Sequence, residues 1–202
     1  MTHWGAPESS VPERTDRCAW CKADPLYVAY HDQEWGVPVH DEQRLFEFLV
    51  LETMQAGLSW HTVLKKREAF RAAFAGFDPV AVAAFGEAEV ARCMDDPGII
   101  RNRAKIVAAV KNARAFLQVQ DAEGGFSPFM WSFADGRPQI NHWRTHQEVP
   151  TTTPLSDAFS KALKERGFAF VGSIVCYSHL QATGVIMDHL VTCFRHRELL
   201  NA

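Results

Sequence analysis

Two groups of residues in this 202-residue chain are of types that do chemistry. Cys18 and His31 lie near one end, His189 and Cys193 near the other. Two thiolates and two imidazoles suit a tetrahedral zinc ion. His189 and Cys193 are four residues apart, so a helix would turn both to one side. A metal joining them to Cys18 and His31 would close a very long loop and anchor both termini. The H-x-x-x-C pair alone is equally consistent with a buried cysteine beside a helical histidine. Cys21 adds another option, because Cys18-x-x-Cys21 is itself a metal or redox spacing. The βαβ pattern that usually accompanies the redox pair is missing.

The second group is a carboxylate among aromatic residues. Trp20, Tyr27, Tyr30, Trp35 and Trp60 flank the segment that carries Glu52. There Leu45, Phe48, Leu49 and Glu52 share one helix face, and Val50 and Leu51 make the other side apolar too, so the helix is expected to be buried. A carboxylate in such a place is expensive unless it is paired or hydrogen-bonded. Rings around it would form a pocket for a flat cation, since aromatic faces attract a desolvated cation by roughly 2 kcal/mol. Simple core packing for each ring, and a solvent-reaching Glu52 at the helix rim, are the plainer alternatives.

The elements that must position these groups read as helices. Asp41 caps a helix over 42–56 that Gly57 ends, and Ser59 caps one over 60–74 closed by Gly76. Asp78-Pro79 opens another. Helices follow over 87–94 and 103–119, separated by the Pro97-Gly98 break. Residues 126–153 are the least regular part, with a turn over 134–138 that could carry a short hairpin. Ser156 caps a helix to Arg166, Gly167 stops it, and helices over 173–184 and 187–194 complete the chain. Gly167 and Gly172 bracket a tight apolar hairpin, and the helix after it could offer free backbone N–H groups to a phosphate. It could equally be an ordinary interhelical turn. These signals predict one all-α domain over 17–196, as two helical lobes with a cleft between them. Residues 1–16 read as a disordered leader and 197–202 as a tail.

Composition narrows the classes. The chain is 47% hydrophobic and 22% charged, with a formal net charge of −3, which argues weakly against nucleic-acid binding. Basic clusters exist at Lys65-Lys66-Arg67, at Arg101, Arg103 and Lys105, and at Lys161, Lys164 and Arg166, each of which could be a solvated face. No stretch is apolar enough to span a membrane and no secretory signal is seen. Five cysteines without an export signal point to a reduced, cytoplasmic protein.

Several stretches carry a resemblance. They are Arg17-Cys18, DPLYVAYHDQEWGVP (24–38), LETMQAGLSWHTVLKKRE (51–68), GIIRNRAKI (98–106), KALKERGFAFVG (161–172) and MDHLVTC (187–193). Together they resemble the bacterial, zinc-containing DNA-3-methyladenine glycosylase I family. The resemblance implies a helix-hairpin-helix glycosylase fold, with a structural zinc on Cys18, His31, His189 and Cys193 that joins the two ends. It implies hydrolysis of the N-glycosidic bond of 3-methyladenine in alkylated double-stranded DNA. Glu52 would be the catalytic residue, in a base pocket with Trp20, Tyr27, Tyr30, Trp35 and Trp60. Gly57, Leu58 and Ser59 would form the wedge inserted into the duplex. No protein partner is implied, and a monomer is expected. Met54, His61 and Cys21 depart from the pattern, and Asp188 is a second carboxylate with either a catalytic or a structural role. The competing readings are a glycosylase for other alkylated purines and a non-catalytic zinc-containing DNA-binding protein.

Overall fold

The computed structural model describes residues 16–201, so the expected leader lies almost wholly outside the described residues. The fold is mostly helical. In chain order the helices are α1 (Pro25–Gln33), α2 (Glu42–Gln55), α3 (Trp60–Lys65), α4 (Arg67–Ala73), α5 (Pro79–Ala83), α6 (Glu87–Asp95), α7 (Arg103–Glu123), α8 (Phe126–Ser132), α9 (Pro154–Glu165), α10 (Ser173–Ala182) and α11 (Phe194–Leu200). Two short strands, β1 (Gln139–Ile140) and β2 (Ile186–Met187), pair in parallel, with Gln139 opposite Ile186.

Capping chemistry sets many of the helix starts. Asp24, Asp41, Ser59, Asp78 and Asn102 each accept backbone N–H bonds at an N-terminus, as short polar side chains do there. Helix α2 is the central element. Every residue from Leu45 to Met54 is buried, and it packs against α7, α8 and α10. Lys105 of α7 donates to the carbonyls of Met54 (2.9 Å) and Ala56 (2.6 Å), closing the C-terminus of α2. A cation there complements the negative end of the helix. On the flank, Arg67 donates to Glu47 at 2.7 Å and to Glu34 at 2.8 Å, and lies 5.3 Å from the Phe48 ring centroid.

The structure departs from the sequence reading in six places. The helix expected over 60–74 breaks at Lys66, whose side chain reaches the carbonyls of Pro97 and Gly98. Thr153, not Ser156, caps α9, and Ser156 is its reciprocal partner in a capping box. Helix α8 lies inside the stretch expected to be irregular. No hairpin forms after the 134–138 turn; β1 pairs instead with the distant β2. The helix expected over 187–194 is replaced by β2 and a turn, because Val191 N–H bonds to the carbonyl of Trp143 and not back along a helix. Helix α11 then runs through Leu200, across the boundary expected at 196. Gly184 makes that path possible. Its φ is +73°, and a Cβ there would fall 2.4 Å from the backbone of Val37.

One buried group works against the fold. His179 of α10 is fully buried, stacks 6.2 Å from Phe159, and neither ring nitrogen has a hydrogen-bond partner among the described residues. Burial pushes its pKa down to about 3. The unfolded chain binds a proton there near the ordinary value of about 6.5, so below that pH the unfolded state is favoured. His179→Phe is therefore expected to raise the melting temperature at pH 8, and the gap over wild type should widen by about 2 kcal/mol by pH 5. Parallel melting curves at the two pH values check this; a constant gap would contradict it.

Candidate active site

A cavity of about 390 Å³ opens between the α1–α3 segment and α10. Trp20, Tyr27, Tyr30, Trp35, Glu52, Gln55 and Trp60 line one side. Residues of the 146–151 segment, then Ile174, Tyr177, Ser178, Gln181 and Asp188, line the rest. The structure thus brings all six expected pocket residues into one cavity. Trp20 sits in a short 3-10 turn (Ala19–Cys21) and meets Tyr27 at 5.1 Å and Trp35 at 4.9 Å between ring centroids. Tyr30 meets Trp60 at 5.3 Å. The rings touch at tilted and edge-on angles, a favourable arrangement for aromatic pairs. The Nε1–H of Trp60 is buried without a hydrogen-bond partner among the described residues.

Glu52 is 3% exposed. Among the described residues no hydrogen bond or ion pair engages its carboxyl, and burial alone raises its pKa to about 8. In the free cavity this favours the protonated carboxyl near neutral pH. The cause is desolvation without a compensating partner. Burial also raises the hydroxyl pKa values of Tyr30 and Tyr27, and Glu52 adds to both shifts.

The turn after α2 projects beside this cavity. Gly57 takes a φ of +84° with open space around it, Leu58 is 41% exposed, and the Ser59 side chain caps α3. Gly167 and Gly172 bracket the turn between α9 and α10, and Gly172 is the N-cap of α10. Asn112 of α7 clamps that turn from below, donating to the carbonyl of Ala169 at 3.0 Å and accepting its N–H at 2.8 Å. Of the basic clusters, Arg67, Lys66 and Lys105 are consumed by internal bonds, and Arg166 pairs with Glu123 at 2.8 Å.

Beside the cavity, the ligand atoms of Cys18, His31, His189 and Cys193 all lie within 4.8 Å of one another, and all four residues are buried. The Cys193 Sγ is 3.5 Å from His31 Nε2 and 3.6 Å from His189 Nδ1, and Cys18 Sγ is 3.8 Å from His189 Nδ1. Each imidazole has its other nitrogen fixed from behind: His31 Nδ1 by Asp32 at 2.7 Å, and His189 Nε2 by the Trp35 carbonyl at 2.9 Å. Outer contacts of this kind orient metal-binding histidines. The cluster can hold a metal ion. Cys21 stands apart, its thiol donating to the Cys18 carbonyl. His189 and Cys193 converge through a turn and not, as expected, through a helix, since Cys193 is the N-cap of α11.

Met54 lies in the core, fully buried. His61 stacks on Tyr27 at 5.2 Å, and its Nε2 lies 3.0 Å from Asp24. Sequence reasoning missed Gln55, Tyr177, Gln181 and the 146–151 segment. Tyr177 and Gln181 are four apart on α10, a spacing that could have flagged them; the 146–151 segment carried no signal.

Comparison with known proteins agrees with this geometry. The profile of the family described as Methyladenine glycosylase matches residues 20–196. DNA-3-methyladenine glycosylase 1 of Escherichia coli (strain K12) is 56% identical over 178 residues, 88% of this chain and 95% of the relative. DNA-3-methyladenine glycosylase of Haemophilus influenzae is 48% identical, over 89% of this chain and 97% of its own. A crystal structure of 3-methyladenine DNA glycosylase I aligns with a TM-score of 0.86 at 54% identity, covering 88% of this chain and 98% of that one. A Staphylococcus aureus 3-methyladenine DNA glycosylase I, solved to explain 3-methyladenine recognition, aligns at 0.86 and 38% identity, covering 89% and 95%. The chain belongs to the methyladenine glycosylase family.

Proposed function

We infer that the protein is a DNA repair glycosylase that hydrolyses the N-glycosidic bond of 3-methyladenine and leaves an abasic site. The observation that carries this reading is Glu52, a buried carboxyl without a hydrogen-bond partner among the described residues, in a cavity walled by six tryptophan and tyrosine side chains. The curated relatives bear names of that activity.

Adenine methylated at N3 in DNA is flat and positively charged. The nucleotide must leave the duplex, which takes a few kcal/mol. Leu58 fills the gap in the stack, as apolar wedges do. At pH 7, ionising a group with a pKa near 8 costs about 1.4 kcal/mol. A cation about 4 Å away returns about 4 kcal/mol at an effective dielectric constant of 20. Glu52 therefore sheds its proton to solvent when the lesion arrives. Neutral adenine provides no such return, and discrimination follows. In the reaction the C1′–N9 bond breaks with its electron pair passing to the base, which cancels the base's charge. Water adds to C1′ and releases a proton. The base needs no general acid, because its own charge makes it a good leaving group. Glu52's attraction is greatest before the bond breaks, so it serves extraction and selection more than cleavage.

The four-residue cluster is assigned to zinc. Zinc bonds of about 2.3 Å to sulfur and about 2.0 Å to nitrogen put tetrahedral S···N separations at about 3.5 Å, and the cluster has 3.5, 3.6 and 3.8 Å. Zinc would supply a structural cross-link between the two ends. Gly167 and Gly172 are assigned to a helix-hairpin-helix grip on the phosphate backbone. The reading takes double-stranded DNA as the form bound, because a wedge has meaning only in a stack. It takes a monomer in the cytoplasm, where the five free cysteines stay reduced.

For Glu52, the kcat/KM for 3-methyladenine release should rise with pH to a plateau, with a limb near pH 8 that reports the free enzyme. In kcat the limb should move to lower pH, because the bound cation favours the carboxylate. Glu52→Gln should lower kcat/KM at least tenfold and abolish the limb, yet raise the melting temperature at pH 9. A carboxyl whose pKa is raised on folding loses stability as pH climbs through about 8, and the amide lacks that penalty. Retention of full kcat/KM by the variant would contradict the assignment. For the metal, Cys193→Ser should lose zinc and melt at least 5 °C lower, while Cys21→Ser keeps zinc. Equal zinc in both variants would remove Cys193 from the site.

A further inference from the structure

Two turns of the molecule are held from beneath by buried polar side chains of one helix. Lys105 is 6% exposed, and its ammonium donates to the carbonyls of Met54 and Ala56, where the chain leaves α2 for Gly57, Leu58 and Ser59. Asn112 is fully buried, and its single amide both donates to the carbonyl of Ala169 and accepts its N–H, between Gly167 and Gly172. Each held turn presents a large apolar side chain to solvent. Leu58 is 41% exposed, and Phe170 is 45% exposed with a left-handed φ of +57°. Lys105 and Asn112 both belong to α7, one unbroken helix from Arg103 to Glu123. They are seven residues apart, close to two full turns. They therefore leave α7 on one face, with roots about 10 Å apart along its axis. The Asn102 side chain accepts the Lys105 backbone N–H at 3.2 Å and fixes the start of that helix.

We propose that Lys105 and Asn112 are positioning residues, and that α7 is a rigid spacer that fixes the 57–59 turn against the 167–172 turn while DNA is opened. An apolar side chain that unstacks bases is pushed back by the duplex. It holds its place only if the part of the protein gripping the DNA backbone does not yield relative to it. A misplacement of about 1 Å can lower a rate by about a hundredfold. Cutting either clamp leaves polar backbone groups without their partners, and the turn must shift to satisfy them. Neither Lys105 nor Asn112 is among the residues that line the cavity, so the loss falls on the handling of the duplex and not on the base pocket. The proposal rests on the glycosylase reading and on its two DNA-contacting turns.

Two probes separate the frame from the pocket. A duplex carrying a tetrahydrofuran abasic-site analogue engages the turns without a base, and free 3-methyladenine engages the cavity without DNA. Lys105→Met and Asn112→Leu are each expected to weaken binding of the abasic duplex at least tenfold, while affinity for the free base stays within twofold of wild type. The double variant should bind the duplex about as weakly as the worse single one, because losing either clamp already frees the register between the turns. Side chains this far apart with no shared partner would otherwise act additively. Lys105→Gln, which keeps a donor, replaces Lys105→Met if the latter does not fold. Wild-type duplex affinity in either single variant, an equal loss for the free base, or fully additive losses in the double variant would overturn the proposal. A wild type that binds the abasic duplex yet releases no 3-methyladenine would instead sink the glycosylase reading, with the clamps still read from binding.

Discussion

A carboxylic acid buried without a partner is the constraint on which the site is built. Among the described residues, other acids held away from solvent are neutralised or hydrogen-bonded: Glu47 meets Arg67 and Arg71, Asp32 meets Arg17 and His31, and Asp188 meets four donors. Glu52 alone in that set is left to the cavity. Its neighbours in the cavity are aromatic rings, whose faces favour a cation. The stability lost by burying it is recovered only by a ligand that brings positive charge. In the proposed function, affinity and selection thus arise from one electrostatic arrangement, preformed before the ligand arrives.

Holding such a site requires a rigid frame, and the frame is tied at both ends of the chain. Residues 18 and 31 meet residues 189 and 193 in one buried cluster. His189 follows Asp188 directly, and Asp188 fixes two side chains of α10. Trp35 belongs to the aromatic wall, and its carbonyl takes the His189 ring at 2.9 Å. The cluster is therefore in direct mechanical contact with both sides of the cavity. On the far side, Lys105 closes α2 next to the Gly57-Leu58-Ser59 turn, so that turn is carried on a capped helix and not on a loose loop.

Much of this was legible in the residues. The caps at Asp41, Ser59 and Asp78, and the apolar run of α2, are local signals, and local signals locate helices well. Glu52 stood out because a carboxylate in an apolar helix is physically anomalous. What escaped was decided by distant contacts. The 187–193 segment looked helical by spacing, yet pairing of β2 with β1 and the Val191 bond to Trp143 draw it out into a turn. Helix α8 was hidden in a stretch judged by its glycines and turn residues. The Gln181 side chain is held by a carboxylate seven residues away, and the raised pKa of Glu52 comes from burial without a partner among the described residues, which no pattern in the chain reveals.

The central claim is that Glu52 is neutral in the free cavity at physiological pH and ionises when a cation enters. A carbon-13 NMR titration of its side-chain carboxyl in the free protein tests this most directly, with Glu52→Gln identifying the resonance. The account predicts a midpoint near pH 8, displaced downward when DNA carrying a cationic, uncleavable adenine analogue is bound. A midpoint near the ordinary glutamate value of about 4.3, unmoved by the bound analogue, would contradict it.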